Sequence, residues 1–350
     1  MSAPSPYPYP PFLPTVSVVV TAFRREAYLP AALRSIAASA GDVRPETVLV
    51  KDAPTPALDR HVEREMGGQV LNDPTLLEQG EMFAAGIEAA RGDLVLFCED
   101  DDEVSPVRVA SVAHRFARDP ALVLVRNGFD PLAPDGSPHP LPALIPQPAH
   151  AARIDASEPD AVRRWLPWLL KHRAYGNVST LAVRRDAALR HIERIRRIEA
   201  LGDGAIPTFL LDEGPHLIDP TRLTRRRLGT SIRPLGLHGD AARGVRTFAR
   251  VARSARTPLA RAFALATLRW AEVDLALRSR DATGMLPARR TLLPFLRDHL
   301  PRLDPNVSEM AAFALFAKLA PRAGPRAYGA RAARWASRRV QSEAAGGRGA

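Results

Sequence analysis

Apolar runs of strand length recur through the first 130 residues of the chain. They are TVSVVVTA (15–22), ETVLVKD (46–52), DLVLFC (93–98) and ALVLVRNGF (121–129). The first is a run of β-branched residues. It lacks the alternation of apolar and polar residues found in a strand with one solvent-exposed face, as is typical of strands buried on both sides. The pattern predicts four strands of a buried sheet.

Helical patterns fill the intervals between these strands. YLPAALRSIAAS (28–39) has leucine and isoleucine at helical spacing, and a second helix is expected over 82–90, ending at Gly92. A third is expected to begin with Ser105 as N-cap and Pro106 at its first position. This alternation predicts an α/β fold with a mostly parallel, Rossmann-like sheet and helices on both faces.

The rest of the chain divides into regions of different composition. Prolines are dense over 130–150, which predicts a long irregular connection. Residues 158–200 follow a helix, short strand, helix pattern, and 239–350 is an alanine- and arginine-rich region that predicts a C-terminal all-α appendage. We therefore expect a disordered proline-rich tail over 1–14 and one α/β domain over 15–238.

Charge is unevenly distributed along the 350 residues, whose formal net charge is +11. Residues 1–150 hold 12 basic and 20 acidic side chains, whereas residues 151–350 hold 37 and 18. The acidic first half and the lack of interleaved aromatic residues argue against nucleic-acid binding. The basic second half predicts peripheral contact with an anionic membrane, with solvated arginine-rich helices as the alternative.

Cysteine content and hydropathy indicate the compartment. Cys98 is the one cysteine, which excludes an intramolecular disulfide and a cysteine-rich zinc site. We find no apolar run of 18 residues for a spanning helix and no secretory signal at the N-terminus. The sequence thus predicts a cytoplasmic protein that contacts the inner face of the membrane at most peripherally.

Two of the apolar runs end in acidic residues. Asp52 ends one, and five consecutive carboxylates, Glu99 to Glu103, follow another. Ligands of open parallel sheets bind beyond the carboxyl ends of the strands, so both groups are expected at one site. Carboxylates about 5 Å apart repel by roughly 3 kcal/mol at an effective dielectric near 20, which favours a bound cation. Oxygen ligands favour Mn²⁺ or Mg²⁺ carrying a diphosphate, and a solvated acidic surface is the alternative.

Three stretches of the first half carry a family likeness. They are VSVVVTAFRREAYLPAALRSI, ETVLVKDAPT and AAGIEAARGDLVLFCEDDDEVSP, in which the acids overlay a D-S-D-D motif with a proline at the matching distance. In this order and spacing they resemble family 2 glycosyltransferases. The resemblance implies the glycosyltransferase A-type, nucleotide-diphospho-sugar transferase fold, with a nucleotide-sugar half (15–130) and an acceptor half (131–238).

The resemblance assigns the nucleotide base to the ends of the first two strands. Asp52 would hydrogen-bond the base. Thr21, Ala22 and Phe23 would line the base pocket, and Arg25 would lie beside it.

The acidic run is assigned to the nucleotide and the metal. By the overlay, Asp100 and Asp101 would contact the nucleotide, and Asp101 and Asp102 would hold the Mn²⁺ or Mg²⁺ that bridges the diphosphate. His216 and His238 are candidates for a third metal ligand, with ordinary surface histidines as the alternative.

Several positions depart from the family pattern. Glu99 replaces the first acid of the motif, and Phe83-Ala84 stand where the family has Arg-Asn near the phosphates. We expect an arginine of RLTRRRLGTSIRP to substitute for the missing basic residue near the phosphates. The alternative is that this stretch forms a solvated basic helix face. The candidates are Arg222, Arg225, Arg226 and Arg227.

The acceptor half should supply the catalytic base. YGNVSTLAVRRDAAL resembles the segment before the family's catalytic acids, and Asp203 is the next acid in a suitable context. Asp203 would deprotonate the acceptor hydroxyl, with Gly202 where the family often has Glu. Asp212 and Glu213 are rival candidates.

The sequence therefore predicts an inverting, metal-dependent hexosyltransferase-type enzyme that uses a UDP- or GDP-sugar. Its acceptor would be a glycan or a lipid-linked intermediate, as in polysaccharide biosynthesis for a bacterial cell envelope. A non-catalytic nucleotide-sugar-binding relative or partner module is the main alternative, because Phe83-Ala84 remove two phosphate-binding groups. A nucleotidyltransferase is disfavoured, since no glycine-rich loop follows the first strand.

Overall fold

We analysed a computed structural model that describes residues 13–23, 26–139, 147–172, 174–228 and 238–278. These residues form a nine-stranded sheet covered by helices. The strands are β1 (Val16–Ala22), β2 (Glu46–Lys51), β3 (Gln69–Asn72), β4 (Leu94–Glu99), β5 (Glu103–Val104), β6 (Leu124–Leu132), β7 (Ala152–Ile154), β8 (Leu181–Arg184) and β9 (His216–Arg227).

The sheet is mixed, with a parallel majority. Its order is β3-β2-β1-β4-β8-β6-β9-β5, and β7 pairs with β9. Strands β1 to β4 are parallel, and so are β6 and β9. β8 runs antiparallel between β4 and β6, and β5 and β7 run antiparallel to β9. Six of the nine strands (β1 to β4, β6 and β9) thus point the same way, which confirms the predicted mostly parallel sheet.

Helices connect the strands and extend the chain beyond them. They are α1 (Leu29–Ala37), α2 (Pro56–Arg60), α3 (Gln79–Ala89), α4 (Arg108–Arg118), α5 (Ala161–Lys171), α6 (Arg185–Leu189), α7 (Ile192–Arg196), α8 (Gly202–Leu210), α9 (His238–Ser254) and α10 (Pro258–Arg278). A π-helical turn, His61–Glu65, follows α2, and a 3-10 turn, Val178–Thr180, precedes β8. Within the described ranges, we find no helix with the length and apolar character needed to cross a bilayer.

Each face of the sheet has its own apolar core because successive strand side chains point to opposite faces. Val20 of β1 shares one core with Leu33 of α1 and Phe116 of α4. Val19 shares the other core with Ile87 of α3 and residues of α8. The fold therefore has the three-layer architecture that strand–helix alternation predicts.

The described part of the C-terminal region packs on this second core. Phe248 and Val251 of α9 and Leu259 and Phe263 of α10 are buried there, together with residues of α3 and α8. The domain boundary predicted at residue 238 stays a prediction, and residues 279–350, after α10, lie outside the described residues.

Two predicted boundaries were wrong. α4 begins at Arg108 because Ser105 and Pro106 belong to a preceding turn, in which the Arg108 N–H donates to the Ser105 carbonyl at 2.9 Å. β6 continues to Leu132, inside the stretch predicted to be irregular, because it pairs with β9 over this length. The same pairing makes the arginine-rich stretch up to Arg227 a strand and not a helix face.

Candidate active site

The C-terminal ends of β1, β2 and β4 lie side by side at one edge of the sheet. Thr21, near the end of β1, is in register with Val50 of β2 and with Glu99 of β4. Phe23 follows β1, and Asp52 directly follows β2. Since neighbouring strands lie about 4.8 Å apart, the ends of β2 and β4 are separated by about 10 Å. The proposed base-binding residues and the acidic run therefore belong to one site.

The residues assigned to the base pocket differ in exposure. Ala22 is buried in the sheet, whereas Thr21, Phe23 and Asp52 are partly exposed at its edge. Partly exposed polar and aromatic groups around a buried strand end suit the wall of a nucleotide pocket. Arg25, the remaining candidate, lies outside the described residues.

The acidic run turns at the end of β4 and is largely buried. The Asp100 N–H donates to the Thr21 carbonyl at 3.1 Å, and the Asp102 N–H donates to the Glu99 carbonyl at 3.1 Å. Residues 100–103 are each at most 8% exposed. The alternative of a solvated acidic surface is therefore wrong.

Two of the acids are fixed by groups of the acceptor half. Asp102 Oδ1 accepts the backbone N–H of Arg227 at 2.9 Å, and its Oδ2 accepts Asn177 Nδ2 at 3.3 Å. Glu103 accepts Arg227 Nη2 at 2.8 Å and also pairs with Arg225. These carboxylates join the end of β4 and β5 to β9 and to the loop before β8.

Burial and repulsion raise the pKa values of acids in this run. The pKa of Glu99 is raised well above its usual value by burial and by the charges of Asp101 and Asp102. The pKa of Asp102 is raised to about 6 by burial and by Asp101, against the effect of hydrogen bonds from Ser179 and Arg227. Neighbouring carboxyl groups with raised pKa values ionise more readily when a cation lies close to them.

This donor set fits a divalent cation held partly by the protein. Within the described residues, no three His, Cys, Asp or Glu side chains form a ready metal cage. Mg²⁺ and Mn²⁺ are commonly held by one or two carboxylates together with substrate phosphates, so a full cage is not required. Asp101 and Asp102 remain the candidate ligands, with Asp102 oriented by its two protein donors.

Asp203 lies in the first turn of α8. Leu201 before it has the left-handed φ of 61°, which turns the chain sharply into the helix. Asp203 Oδ1 accepts the Gly204 N–H at 3.1 Å. Burial raises the pKa of Asp203, and the charge of Arg226 acts in the opposite direction. A carboxyl of raised pKa next to a cationic group can act as a general base.

The rival acids are used in the fold at the other end of α8. Asp212 caps α10, because its carboxylate accepts the backbone N–H groups of Arg256 at 2.9 Å and Thr257 at 2.7 Å. Glu213 forms hydrogen bonds with three side chains. Nine residues of helix separate this end from Asp203, a distance of about 13 Å. The geometry therefore favours Asp203.

His216 is a core histidine. It begins β9, whereas Arg227, which contacts the acidic run, ends the same strand. Its Nδ1 lies 2.7 Å from the Tyr175 hydroxyl, and its burial lowers its pKa to about 3. The structure thus separates His216 from the proposed metal site. The side chain of His238 lies outside the described part of the chain.

Three of the four candidate arginines are paired with acids of the protein. Arg222 contacts Asp130 at 2.8 Å, and Arg225 pairs with Glu103. Arg227 is buried and contacts the other oxygen of Glu103 at 2.8 Å. These contacts hold β9 against β5 and β6.

Arg226 differs from these three. Within the described residues it has no acid at ion-pair distance, and its guanidinium lies 5.5 Å from the centroid of the Phe129 ring. Its charge lowers the pKa values of Glu99, Asp102 and Asp203. The charge of Arg226 therefore acts on both the acidic run and the candidate base.

Two departures from the family pattern meet in space. A Cβ atom added to Gly202 would lie 2.6 Å from the Phe83 ring and 3.0 Å from Gln79 Oε1, which accepts the Gly202 N–H at 3.1 Å. Phe83 is fully buried and packs edge-on against Phe97, with ring centroids 5.4 Å apart. A glutamate at 202 would clash with this ring, so the packing of Phe83 in this position requires a residue without a side chain at 202.

Sequence analysis missed several polar groups around the acidic run. The Glu99 N–H donates to Ser179 Oγ at 2.9 Å, and Asn177 contacts Asp102. The signal for both was a cluster of polar residues in the otherwise apolar NVSTLAV stretch. Arg108, also missed, is fully buried and ties β4 to β8 through the carbonyl groups of those strands.

Solved structures and family models provide an independent comparison. Residues 17–165 match the model described as Glycosyl transferase family 2. TarS 1–349 from S. aureus in complex with UDP-GlcNAc is similar with a TM-score of 0.54 and 13% identity, covering 90% of each chain. The UDP complex gives 0.52 and 14%, covering 81% of this chain and 87% of that chain. Another TarS structure gives 0.55 and 14%, covering 90% of this chain and 54% of the longer TarS chain.

No curated protein sequence matches the chain. At such low identities the solved structures show a common fold, and with the family match they confirm the predicted A-type fold and the glycosyltransferase class of enzyme. The matched range contains Asp52 and the acidic run, whereas Asp203 and Arg226 lie beyond it. The similarity to glycosyl transferase family 2 therefore spans residues 17–165, less than half of the chain.

Proposed function

We propose that the protein is an inverting, metal-dependent glycosyltransferase that moves a sugar from a nucleoside-diphosphate donor to a glycan or lipid-linked acceptor. One observation carries the proposal. The charge of Arg226 acts both on Glu99 and Asp102 of the acidic run and on Asp203 of α8. A donor diphosphate at the acidic run and a general base on α8 would then both lie within reach of the charge of one cationic side chain.

The donor would lie across the ends of β1, β2 and β4. Asp52, Thr21 and Phe23 are at the edge that would hold the base, and Asp101 and Asp102 would hold a Mn²⁺ or Mg²⁺ ion on the diphosphate. The TarS structures contain UDP and UDP-GlcNAc, which favours a UDP-linked donor over a GDP-linked one.

The chemistry then follows from charge. Asp203 accepts the proton of the acceptor hydroxyl, whose oxygen attacks the anomeric carbon on the face opposite the leaving nucleoside diphosphate and so inverts its configuration. When bound, the cation neutralises charge on the leaving group. Arg226 adds a second positive charge, in place of the basic residue that the family carries at the position of Phe83.

A non-catalytic nucleotide-sugar-binding protein is the second candidate, because α3 has Phe83 and Ala84 where a basic residue and an amide side chain would be expected. Arg226 and Asp203 favour the enzyme, since a binding protein has no need of a buried carboxyl near the leaving group.

A thermal-shift screen of UDP and GDP, each with and without Mn²⁺, tests donor binding. We expect one nucleotide to raise the melting temperature, and to raise it more with Mn²⁺. Hydrolysis of the matching nucleotide sugar then separates the two candidates, because only the enzyme releases free sugar. No shift with either nucleotide would overturn both.

We also propose that the protein works in the cytoplasm, with peripheral contact to an anionic membrane. The basic second half supports this, with 37 basic and 18 acidic residues over 151–350. Sedimentation with liposomes should rise with the anionic lipid fraction and fall with salt. Equal sedimentation with neutral and anionic liposomes would contradict membrane contact and leave the enzymatic proposal intact.

A further inference from the structure

Arg126 of β6 is a buried charge to which the described residues provide no acidic partner. Its side chain is 1% exposed, and neither Nε nor Nη1 has a hydrogen-bond acceptor. It is in register with Leu181 of β8 and next to Ile218 of β9, both fully buried and apolar. A guanidinium in such surroundings is strongly destabilising unless an anion accompanies it.

Arg108 shows that this fold can satisfy a buried arginine. It is equally buried, yet its Nε donates to Asn127 Oδ1 at 3.0 Å, and its Nη1 and Nη2 donate to backbone carbonyls at 3.0 and 3.1 Å. The lack of acceptors at Arg126 is therefore particular to its position and is not a general feature of the core.

The nearest charge that acts on Arg126 has the same sign. Arg126 and Arg226 both lie against the Phe129 ring, with guanidinium carbons 5.9 and 5.5 Å from its centroid. Burial, and then the charge of Arg226, lower the pKa of Arg126 to about 10. Two guanidinium groups on one ring bring like charges together, and within the described residues neither guanidinium has an acid at ion-pair distance.

We propose that Arg126, together with Arg226, binds an anionic group, a carboxylate or a phosphate, on the transferred sugar or on the acceptor. This inference rests on the proposed function for the place of the substrates. The group would be a neighbour of the donor diphosphate and not the diphosphate itself, because β8 lies between β6 and β4 and puts the backbone of Arg126 about 10 Å across the sheet from the acidic run. Arg226 would then act on both anions. The substrates are then acidic sugars or phosphorylated acceptors.

The first test is thermal stability, with Arg108 as the matched buried control. R126Q removes an unpaired charge, so its melting temperature should equal or exceed that of the wild type. R108Q leaves three acceptors without their donor and should melt at a clearly lower temperature. A loss of stability in R126Q as large as that in R108Q would show a structural role and overturn the proposal.

The second test is anion binding, with inorganic phosphate as the probe. Phosphate should raise the melting temperature of the wild type, and its apparent affinity should fall about tenfold in R126Q and remain unchanged in R222Q. Equal phosphate responses in wild type and R126Q would overturn the proposal. The stabilisation by UDP and Mn²⁺ should persist in R126Q. A wild type that UDP and Mn²⁺ do not stabilise would contradict the proposed function, which is a different result from a loss of the phosphate response in R126Q.

Paired ligands then identify the source of the anion. If the transferred sugar carries it, UDP-glucuronate should stabilise the wild type more than UDP-glucose, and R126Q should remove the difference. If the acceptor carries it, glucose 6-phosphate should stabilise the complex with UDP and Mn²⁺ more than glucose does, again only with Arg126 present. Differences that persist unchanged in R126Q in both pairs would contradict the proposal.

Discussion

Asp203 is the residue on which the chemical step depends. Asp203→Asn keeps the shape of the side chain and removes its basicity, so turnover should fall by about 10²- to 10⁴-fold, the usual contribution of a general base. UDP affinity should change little, because the proposed role of Asp203 is to deprotonate the acceptor and not to hold the nucleotide. Single-turnover transfer kinetics and UDP titration measure the two effects.

Asp130→Asn is the matched control, since Asp130 is half exposed and pairs with Arg222 on the surface. The control should keep wild-type turnover. Near-normal turnover in Asp203→Asn would mean that another group takes the proton.

Arg226 should control the pH at which Asp203 works. Its charge opposes the rise in the pKa of Asp203 that burial causes. Arg226→Gln removes this effect, the pKa of Asp203 rises further, and the base becomes protonated at a higher pH. The acidic limb of the kcat/KM profile should therefore move to higher pH in the variant. If the acidic limb stays at the same pH and the rate falls equally at every pH, Arg226 acts on the leaving group and does not set the pKa of Asp203.

At the scale of elements, Arg227 links β9 to β5 and to the turn after β6. Its guanidinium contacts Glu103 of β5 and the carbonyl groups of Ala133 and Pro134 after β6, and it is almost fully buried. Arg227→Gln breaks a buried pair and should lower the free energy of unfolding by about 3–5 kcal/mol.

Arg225→Gln is the control for this effect, because Arg225 pairs with the same glutamate but is about half exposed. Exposed pairs contribute about 1 kcal/mol or less. Urea denaturation measures both variants, and equal losses would contradict the role given to Arg227.

The contact between α3 and α8 should show coupling. Gly202→Ala puts a methyl group against the Phe83 ring and should cost about 1–3 kcal/mol through overpacking. Phe83→Leu opens space at the same contact, so the double variant should lose less stability than the sum of the single variants. Additive losses in the double-mutant cycle would contradict a linked substitution.

The sequence predicts the elements that have a strong local pattern. β1, β2, β4 and α1 follow from apolar runs and helical spacing, and all four are present. β5 has two residues and β7 three, too few for any periodicity. β9 has the sequence of a solvated basic segment. The acids that pair with its arginines are distant along the chain, so the local pattern does not show the pairing.

The same distinction applies to the site. Asp52 and the acidic run follow from their places at strand ends, which is local information. The separation of Asp203 from Asp212, the position of Arg226 and the unpaired state of Arg126 depend on contacts between distant segments. No pattern along the chain carries that information.

At the scale of the molecule, acids from both halves of the chain pair with the arginines of α9. Arg243 pairs with Glu78 of the first half at 3.2 Å, whereas Arg246 and Arg250 pair with Glu199 of the second half. Part of the basic excess is therefore used to hold α9 against the rest of the fold. The acidic run remains a concentration of negative charge at the edge of the sheet, which is where the account requires a cation.

Calorimetric titration of UDP with and without Mn²⁺, on the wild type and on Asp101→Asn, tests this claim most directly. We predict that Mn²⁺ tightens UDP binding by about tenfold or more in the wild type, and that the variant loses this gain while keeping its fold. Equal UDP affinity with and without Mn²⁺ in the wild type, or an undiminished gain in Asp101→Asn, would contradict a diphosphate held through a metal at the acidic run.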